Sequence, residues 1–200
     1  YQRTAFASHP DVVIVMHLTA NKPAAYTGRV QLADMHQAGI TAAAKKLSSV
    51  GKLQNGFEYE AQLLVLNKNG ALAVKNDDAF AKNPWNLVVP GTSLAFEQCD
   101  SVTLILGAGT NFLQDHTKQW LGVHPHAAVT KRVDSAARQS VAKLQARHER
   151  DYQSLFRRFS LDVGTTAPDL LAKTTLARLE DYAKNTTADP DLEALFCQFG

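Results

Sequence analysis

Two glutamates, Glu58 and Glu60, have the spacing in this sequence that best suits acid–base chemistry. On a β-strand both side chains project from one face, with their Cα atoms roughly 6–7 Å apart. Two carboxylates at such a separation could act as the acid and the base of a glycosidase. Nothing near them in sequence would bury one carboxylate and favour its protonated form. We therefore interpret both as the solvated face of an amphipathic strand.

Three histidines close together in sequence are candidate metal ligands. His124 and His126 form a His-x-His pair, and His116 precedes them. Loop histidines beside a proline are usually solvated, and no carboxylate or thiol lies near them in sequence. The pair His148-Glu149 lacks the second histidine of a zinc-protease helix, because Tyr152 stands four residues after the first. We predict no metal and no cofactor.

A glycine pair follows an apolar stretch from Leu104 to Leu106, as in a dinucleotide-binding turn. Phe112 stands where the third glycine of that motif belongs, and no second strand with an acidic end follows at the required distance. We interpret Gly107 and Gly109 instead as the point where a strand leaves the sheet.

A hydroxyl, an imidazole and a carboxylate lie together in Ser8, His9 and Asp11. Nucleophilic triads are assembled in space from distant positions. Because Pro10 interrupts the segment and a strand-like run follows, we predict a turn here.

Trp85, Trp120 and Tyr152 could stack on sugar rings. Aromatic side chains bury large apolar areas, so a core position is favoured for each. We assign no catalytic, cofactor-binding or metal-binding residue to this chain.

The longest periodic stretch of the sequence runs from Pro125 to Phe159 and predicts one long α-helix. Pro125 suits the first helical position, where a missing N–H costs nothing. Nine turns or so exceed the average helix length, which indicates a linker between two bodies. Its apolar residues recur every three or four positions: Val129, Val133, Ala137, Val141, Leu144, His148, Tyr152, Leu155, Phe156 and Phe159.

The first 111 residues predict strands. Val12 to Thr19 is a β-branched run typical of a buried strand. Phe57 to Val65 alternates, so one of its faces is core and the other, with Glu58, Glu60 and Gln62, is polar. Asn69-Gly70 favours a tight turn and predicts a hairpin over Gln62 to Val74.

Two further strands are predicted at Thr92 to Glu97 and Ser101 to Leu106. Loops that carry short strands are predicted at Gln37 to Gly51 and at Asn76 to Pro90. Short strands at this spacing, separated by Gly, Asn and Pro, predict an antiparallel β-sandwich. With the helices that follow, the fold class is α+β, an antiparallel β-sandwich followed by a helical linker.

The last forty residues or so predict a short strand and two helices. Ser160 to Val163 is the strand, and Asp169 to Lys184 is the first helix. Asp189 can cap the second helix, with Pro190 at its first position. An apolar stripe runs along this last helix: Leu192, Leu195, Phe196 and Phe199.

Composition excludes several classes of function. A net charge of +2 over 200 residues, with basic and acidic residues interleaved, predicts no nucleic-acid partner. The longest apolar run, Val12 to Met16, is far too short to cross a bilayer, and we predict no membrane partner. The chain begins at Tyr1 without an initiator Met, so we expect it to start inside a longer protein. Cys99 and Cys197 could form a disulfide, but two buried thiols are the favoured interpretation.

The end of the long helix carries a family resemblance in the pattern H..DY..LF.R.SLD.G, which begins at His148. This pattern, two later segments and the opening segment from Arg3 to Ala20 resemble glycoside hydrolase family 95, the family of 1,2-α-L-fucosidases and related α-L-galactosidases. Cys197 departs from the aromatic residue more common in the family. The matching residues in the two later segments are Thr175, Arg178, Leu179, Asp189, Pro190, Leu192, Leu195, Phe196, Gln198, Phe199 and Gly200.

The resemblance implies an N-terminal β-sandwich joined by linker helices to an (α/α)6 barrel. In the family, the barrel holds the acid Glu and the Asn-activated water that invert the fucosidic linkage, and those residues lie beyond the segment that matches Gln198 to Gly200. On this basis we expect residues 1–112 to be sandwich and residues 113–200 to be linker. We expect the chain to be inactive alone and to be part of an inverting α-L-fucosidase, or of a related α-L-galactosidase.

Further expectations concern the partners, the location and an alternative function. The partner is an oligosaccharide substrate bound through the catalytic domain, and the location is the periplasm or the exterior of a bacterium. The apolar helix that begins near Pro190 either folds back onto the linker helix or forms a homodimer. The alternative function is a stand-alone β-sandwich that binds carbohydrate or another protein.

Overall fold

The computed structural model describes residues 1–36, 38–76, 91–184 and 188–199. The chain forms two compact units, Tyr1–Tyr152 and Gln153–Gly200. In the described part of the first unit the strands are β1 (Gln2–Ser8), β2 (Val13–Thr19), β3 (Tyr26–Val30), β4 (Ile40–Ala43), β5 (Lys46–Lys52), β6 (Glu58–Lys68), β7 (Ala71–Asn76), β8 (Thr92–Cys99) and β9 (Ser101–Thr110).

These strands form two sheets. One sheet has six strands in the order β1-β2-β9-β6-β5-β4, and the other has three in the order β3-β8-β7. Every neighbouring pair is antiparallel. The predicted α+β fold with an antiparallel β-sandwich is confirmed, as are short strands within Gln37 to Gly51. The other segment predicted to carry short strands, Asn76 to Pro90, lies outside the described residues except for Asn76.

One hydrophobic core lies between the two sheets. Strand alternation sends Leu63 and Val65 of β6 into it, where they meet Leu94 and Phe96 of the smaller sheet. Leu47 and Val65 are fully buried there. This face of β6 is the apolar face that the sequence predicts.

A second core lies on the opposite face of the six-stranded sheet. Helix α1 (His126–Ala137) covers that face and buries Val129 and Val133 against Val15 and Ile105. The strand predicted over Val12 to Thr19 is confirmed as β2, but it is only partly buried. Val13 and Val15 are buried on one face, whereas Ile14 and Met16 on the other face are 49% and 40% exposed.

The hairpin predicted over Gln62 to Val74 is also wrong, although its turn is present. Asn69 and Gly70 both adopt positive φ, 54° and 66°, as a two-residue turn of this kind requires. Strand β6 already pairs with β5 on one edge and β9 on the other, so no edge is left for β7. The chain therefore crosses to the other sheet, where β7 pairs with β8.

The single helix predicted over Pro125 to Phe159 is two helices, α1 and α2 (Val141–Phe156). Ser140 separates them. Its hydroxyl accepts from the Lys143 N–H at 3.3 Å and its carbonyl accepts from the Leu144 N–H at 3.1 Å, which caps α2. The break allows Leu144 to reach the same core as Val133.

The second unit contains α3 (Pro168–Leu171), α4 (Thr175–Lys184) and α5 (Pro190–Phe199). The helix predicted over Asp169 to Lys184 is thus divided, because the Thr174 hydroxyl caps a new helix by accepting from the Ala177 N–H at 3.3 Å. The helix predicted to begin at Pro190 is confirmed.

The segment from Ser160 to Val163 forms no strand, so that prediction is wrong. The Asp162 carboxylate accepts the Gly164 N–H at 3.0 Å, which makes a local turn in place of sheet pairing. Both cysteines are free thiols; Cys99 is buried as predicted, but Cys197 is exposed. Among the described residues, no helix is long and apolar enough to cross a membrane.

Candidate functional site

The two glutamates singled out for acid–base chemistry lie in different environments. Glu60 is only 2% exposed, because α1 covers the face of β6 from which it projects. Its carboxylate accepts from the Gln62 amide at 2.6 Å and lies 3.0 Å from His126 Nδ1. Glu58 forms an ion pair with Lys52 at 3.1 Å nearer the surface. The interpretation of a solvated face is therefore wrong for Glu60.

Further polar contacts continue from Glu60 along the interface between β6 and α1. The Gln62 amide donates to Thr130 Oγ1 at 2.8 Å. Lys46 Nζ donates to Gln62 Oε1 at 3.1 Å and to the Asp134 carboxylate at 3.3 Å. The buried polar groups of this row thus have partners, as burial requires. A carboxylate enclosed in this way fixes the helix on the sheet and does not reach a substrate.

Two of the three histidines considered as candidate metal ligands, His124 and His126, lie at this interface. The His126 imidazole pairs with Glu60, and the His126 N–H donates to His124 Nδ1 at 3.2 Å. The two rings lie 6.5 Å apart between centroids. His116 is the first residue of a short 3-10 helix, His116–Lys118, which precedes α1 in the chain. No group of three His, Cys, Asp or Glu side chains suited to a metal ion occurs among the residues that the structure describes.

Gly107 and Gly109 lie inside β9, which continues to Thr110. The expectation that the strand leaves the sheet at this pair is wrong. A Cβ on Gly107 would lie 2.6 Å from Val133 Cγ2, and a Cβ on Gly109 would lie 2.9 Å from Val129 Cγ2. The glycines therefore allow close approach of α1 to the sheet, which is a packing role.

Ser8, His9 and Asp11 form the predicted turn between β1 and β2. The Ser8 hydroxyl donates to Asp11 at 2.7 Å, and Asp11 also pairs with Arg147 at 3.0 Å. His9 Nδ1 lies 3.1 Å from the Asp151 carboxylate. These contacts attach α2 to the end of the sheet, and the three residues do not form a triad.

Residues of the H..DY pattern make this attachment. The His148 ring stacks on Phe6 with centroids 5.3 Å apart and 21° between the ring planes. Asp151 contacts the β1–β2 turn through His9. His148 and Asp151 of the pattern therefore hold α2 against the sandwich, which is a structural role.

In the second unit, two other residues of the resemblance form a buried ion pair. Arg178 binds the Asp189 carboxylate through Nε at 2.8 Å and Nη2 at 2.6 Å. The Thr166 hydroxyl donates to the same carboxylate at 2.7 Å, and the Leu192 N–H caps onto it at 3.1 Å. The hydrogen bonds from Arg178, with the smaller contributions of Thr166 and Leu192, outweigh burial and hold the pKa of Asp189 far below its usual range.

The aromatic residues considered for sugar stacking are not core residues where the structure describes them. Trp120 is 49% exposed and lies parallel to Phe112, with 1° between the rings and 6.2 Å between centroids. Tyr152 is half exposed as well. The core interpretation is wrong for both, and Trp85 lies outside the described residues.

Sequence reasoning missed the pairs that join distant positions. Glu60 and His126 are 66 residues apart, and Phe112 and Trp120 meet because Leu121 pairs with Phe112 across a loop. No periodicity connects such residues. For the Arg178–Asp189 pair, the sequence indicated both residues separately, through the family resemblance and the capping position of Asp189, but not their contact.

The comparisons with known proteins divide the chain into two matches. The model of the glycosyl hydrolase family 65 N-terminal domain matches residues 1–115, and the model of the glycosyl hydrolase family 95 catalytic domain matches residues 140–200. The second match covers all of α3, α4 and α5.

Two curated proteins are similar to this chain along its whole length. Alpha-L-fucosidase 2 of Arabidopsis thaliana is 27% identical, and Probable alpha-fucosidase A of Aspergillus niger is 24% identical. The chain spans 25% and 24% of their respective lengths. It thus corresponds to about a quarter of each relative.

Proposed function

Because this chain belongs to the glycoside hydrolases of the family 95 type, with a family 65-type N-terminal domain over residues 1–115, we propose that it is a non-catalytic part of an enzyme that hydrolyses terminal α-L-fucosyl residues. The observation that carries this proposal is the similarity of the whole chain to two proteins named as fucosidases. Terminal α-L-galactosyl residues are the second substrate class. We also propose that the enzyme works outside the bacterial cytoplasm.

The geometry of the carboxylates supports the non-catalytic part of the proposal. Inverting glycosidases need two carboxyl groups roughly 6.5–9.5 Å apart on opposite sides of an accessible bond. Glu60 is enclosed by His126 and Gln62, and Glu58 is paired with Lys52. On this proposal, the chain supplies a sandwich and its attached helices as the support for a catalytic domain.

An assay of L-fucose release from 2′-fucosyllactose tests both parts. We expect no release by the 200-residue chain and release, with inversion at the anomeric carbon, by the product of the gene extended past the Gly200 codon. Release by the chain alone would overturn the non-catalytic role. An extended product that releases neither L-fucose nor L-galactose would overturn the fucosidase proposal.

The competing function is a stand-alone carbohydrate-binding or interaction module. The match of residues 140–200 to a catalytic-domain model weighs against it. A stop codon directly after Gly200 in the gene would favour the module.

A further inference from the structure

A cleft of about 370 Å³ lies between the end of β9, the loop that follows and the first turns of α1. This volume is within the range of roughly 300–1,000 Å³ found for ligand pockets. Thr110, Phe112, His124 and Arg132 line it, together with small apolar residues. The cleft is separate from the Glu60 interface, because Glu60 is not among the lining residues.

The ionisable side chains in the described lining of the cleft are basic. Among the residues that the structure describes, its lining contains a guanidinium and an imidazole, from Arg132 and His124, and no acidic side chain. Within the described part of the chain, Arg132 forms no hydrogen bond and no ion pair, and it is only half buried. Arg147 of the same unit, by contrast, pairs with Asp11. An unpaired guanidinium on a wall without acids favours an anionic group, and its planar fork matches a carboxylate.

The lack of a side chain at Gly109 allows the Arg132 guanidinium to lie close to β9. A Cβ on Gly109 would lie 3.9 Å from Arg132 Nη1 and 3.3 Å from Pro125 Cβ. The missing side chain therefore leaves room both for the start of α1 and for the Arg132 head group. Because Arg132 belongs to a helix that packs on the sheet, its backbone position is fixed by the fold rather than by a loop.

The lining of the cleft also includes an exposed aromatic side chain, Phe112. Phe112 is 57% exposed and lies parallel to Trp120. A backbone bridge between Phe112 and Leu121 and a hydrogen bond from the Leu113 N–H to the Trp120 carbonyl, at 2.9 Å, hold this loop in place. An aromatic face carries negative charge density, so it attracts the C–H groups of a pyranose ring.

We propose that this cleft binds a hexuronic acid residue of a glycan, with the carboxylate on Arg132 and the sugar ring against Phe112. The carboxylate follows from the unpaired guanidinium, and the sugar body follows from the aromatic wall. The glycan context agrees with a glycoside hydrolase. The inference goes beyond the proposed hydrolysis of fucosyl residues, which are uncharged, and a binding measurement tests it independently of any activity.

Isothermal titration of the 200-residue chain with trigalacturonic acid tests the proposal, and the same trisaccharide with methyl-esterified carboxyl groups is the matched ligand. We expect the free acid to bind about tenfold to a hundredfold more tightly, the ratio typical of a hydrogen bond to a charged group. We also expect its affinity to fall with added salt. Equal affinity for the acid and the ester would overturn the proposal, as would an acid that does not bind at millimolar concentration.

Two variants locate the site. Arg132→Gln should remove the preference for the acid, whereas Lys131→Gln, which removes one charge from the neighbouring exposed position, should retain it. Phe112→Ala should weaken the binding of both ligands. An Arg132→Gln variant that melts like the parent and still prefers the acid would overturn the assignment.

Acetate at the same concentration distinguishes a sugar site from a simple anion site. We expect acetate not to displace the trisaccharide. Displacement by equimolar acetate would mean that the aromatic wall contributes nothing, and it would overturn the assignment of a sugar.

Discussion

At the scale of single residues, the described structure assigns packing and anchoring roles to the groups whose types suggest chemistry. Glu60 and His126 join a helix to a sheet, and Gly107 makes space for Val133. His148 and Asp151 attach a helix to a turn. Residue type indicates what a side chain could do, but burial and partners decide what it does.

Gly107→Ala should destabilise the first unit. The new Cβ would lie 2.6 Å from Val133 Cγ2, a separation that forces the helix or the strand to move. Overpacking of this kind costs about 1–3 kcal/mol of unfolding free energy, which urea denaturation measures.

Gly39→Ala is the matched control, because a Cβ there meets nothing within 4 Å. Its effect should stay within about 0.5 kcal/mol, as for most surface changes. Equal losses in the two variants would contradict the packing role of Gly107.

His126→Ala should lower the melting temperature, because it leaves the buried Glu60 carboxylate with fewer partners. The free energy of unfolding should fall by about 1 kcal/mol or more. His124→Ala should change little, since His124 is not bonded to Glu60. Addition of EDTA should leave the melting temperature of the parent unchanged. A parent that melts lower in EDTA, beside a His126→Ala variant that does not respond, would indicate a metal site instead.

At the scale of elements, helix ends decide the arrangement that periodicity misses. Ser140 and Thr174 each cap a helix in the middle of an apolar period. Asp189 caps α5 and also binds Arg178 of α4, so one carboxylate sets the positions of two helices. When helix ends are predicted from sequence, a residue with a capping side chain should therefore count for more than a continuous apolar stripe.

Asp189→Asn should lower the melting temperature of the second unit by several degrees, because it leaves the Arg178 guanidinium without its carboxylate. The pKa of Asp189 is far below that of an unfolded aspartate, near 3.9, so its contribution to stability is complete above about pH 4 and is lost as the pH falls further. The difference in melting temperature between parent and variant should thus be constant above about pH 4 and should narrow progressively as the pH falls below it.

Asp169→Asn is the control for this change, since Asp169 is exposed on α3. Circular dichroism melts at pH 7 and pH 2 would make the comparison. A difference that is the same at both values would contradict the pairing with Arg178.

At the scale of the whole molecule, the last helix presents a large apolar surface. Leu192 is buried, but Leu195, Phe196 and Phe199 are 41%, 76% and 89% exposed. With Leu179 and Thr175 of α4 these side chains line a groove of about 470 Å³. Apolar patches of this kind mark interaction surfaces.

Self-association through this face is our expectation for the isolated chain. Light scattering should give the mass of a dimer for the parent and of a monomer for the double variant Leu195→Asp with Phe199→Asp. Val123→Asp, at another exposed apolar position of 89% exposure, should leave the dimer intact. A monomeric parent would contradict the prediction, and a monomeric parent that the double substitution destabilises would support the fold-back alternative.

Local sequence determined much of this protein. Strand alternation, the Asn69-Gly70 turn and the Asp189-Pro190 start depend on backbone preferences within a few residues, so they can be predicted from a short window. The resemblance to family 95 lies in the order of residues along the chain, and it was confirmed by comparison with known proteins. The division into residues 1–112 and 113–200 stays a prediction.

Only the tertiary structure decided which faces are covered. Strand β6 shows one apolar and one polar face in sequence, yet both are buried, because a helix about 60 residues later packs on the polar one. Whether β6 and β7 pair depends on which edges β5 and β9 already occupy. Arg132 and Phe112 line one cleft because Gly109 allows α1 to approach the sheet. Such contacts join residues distant in sequence, and no local preference encodes them.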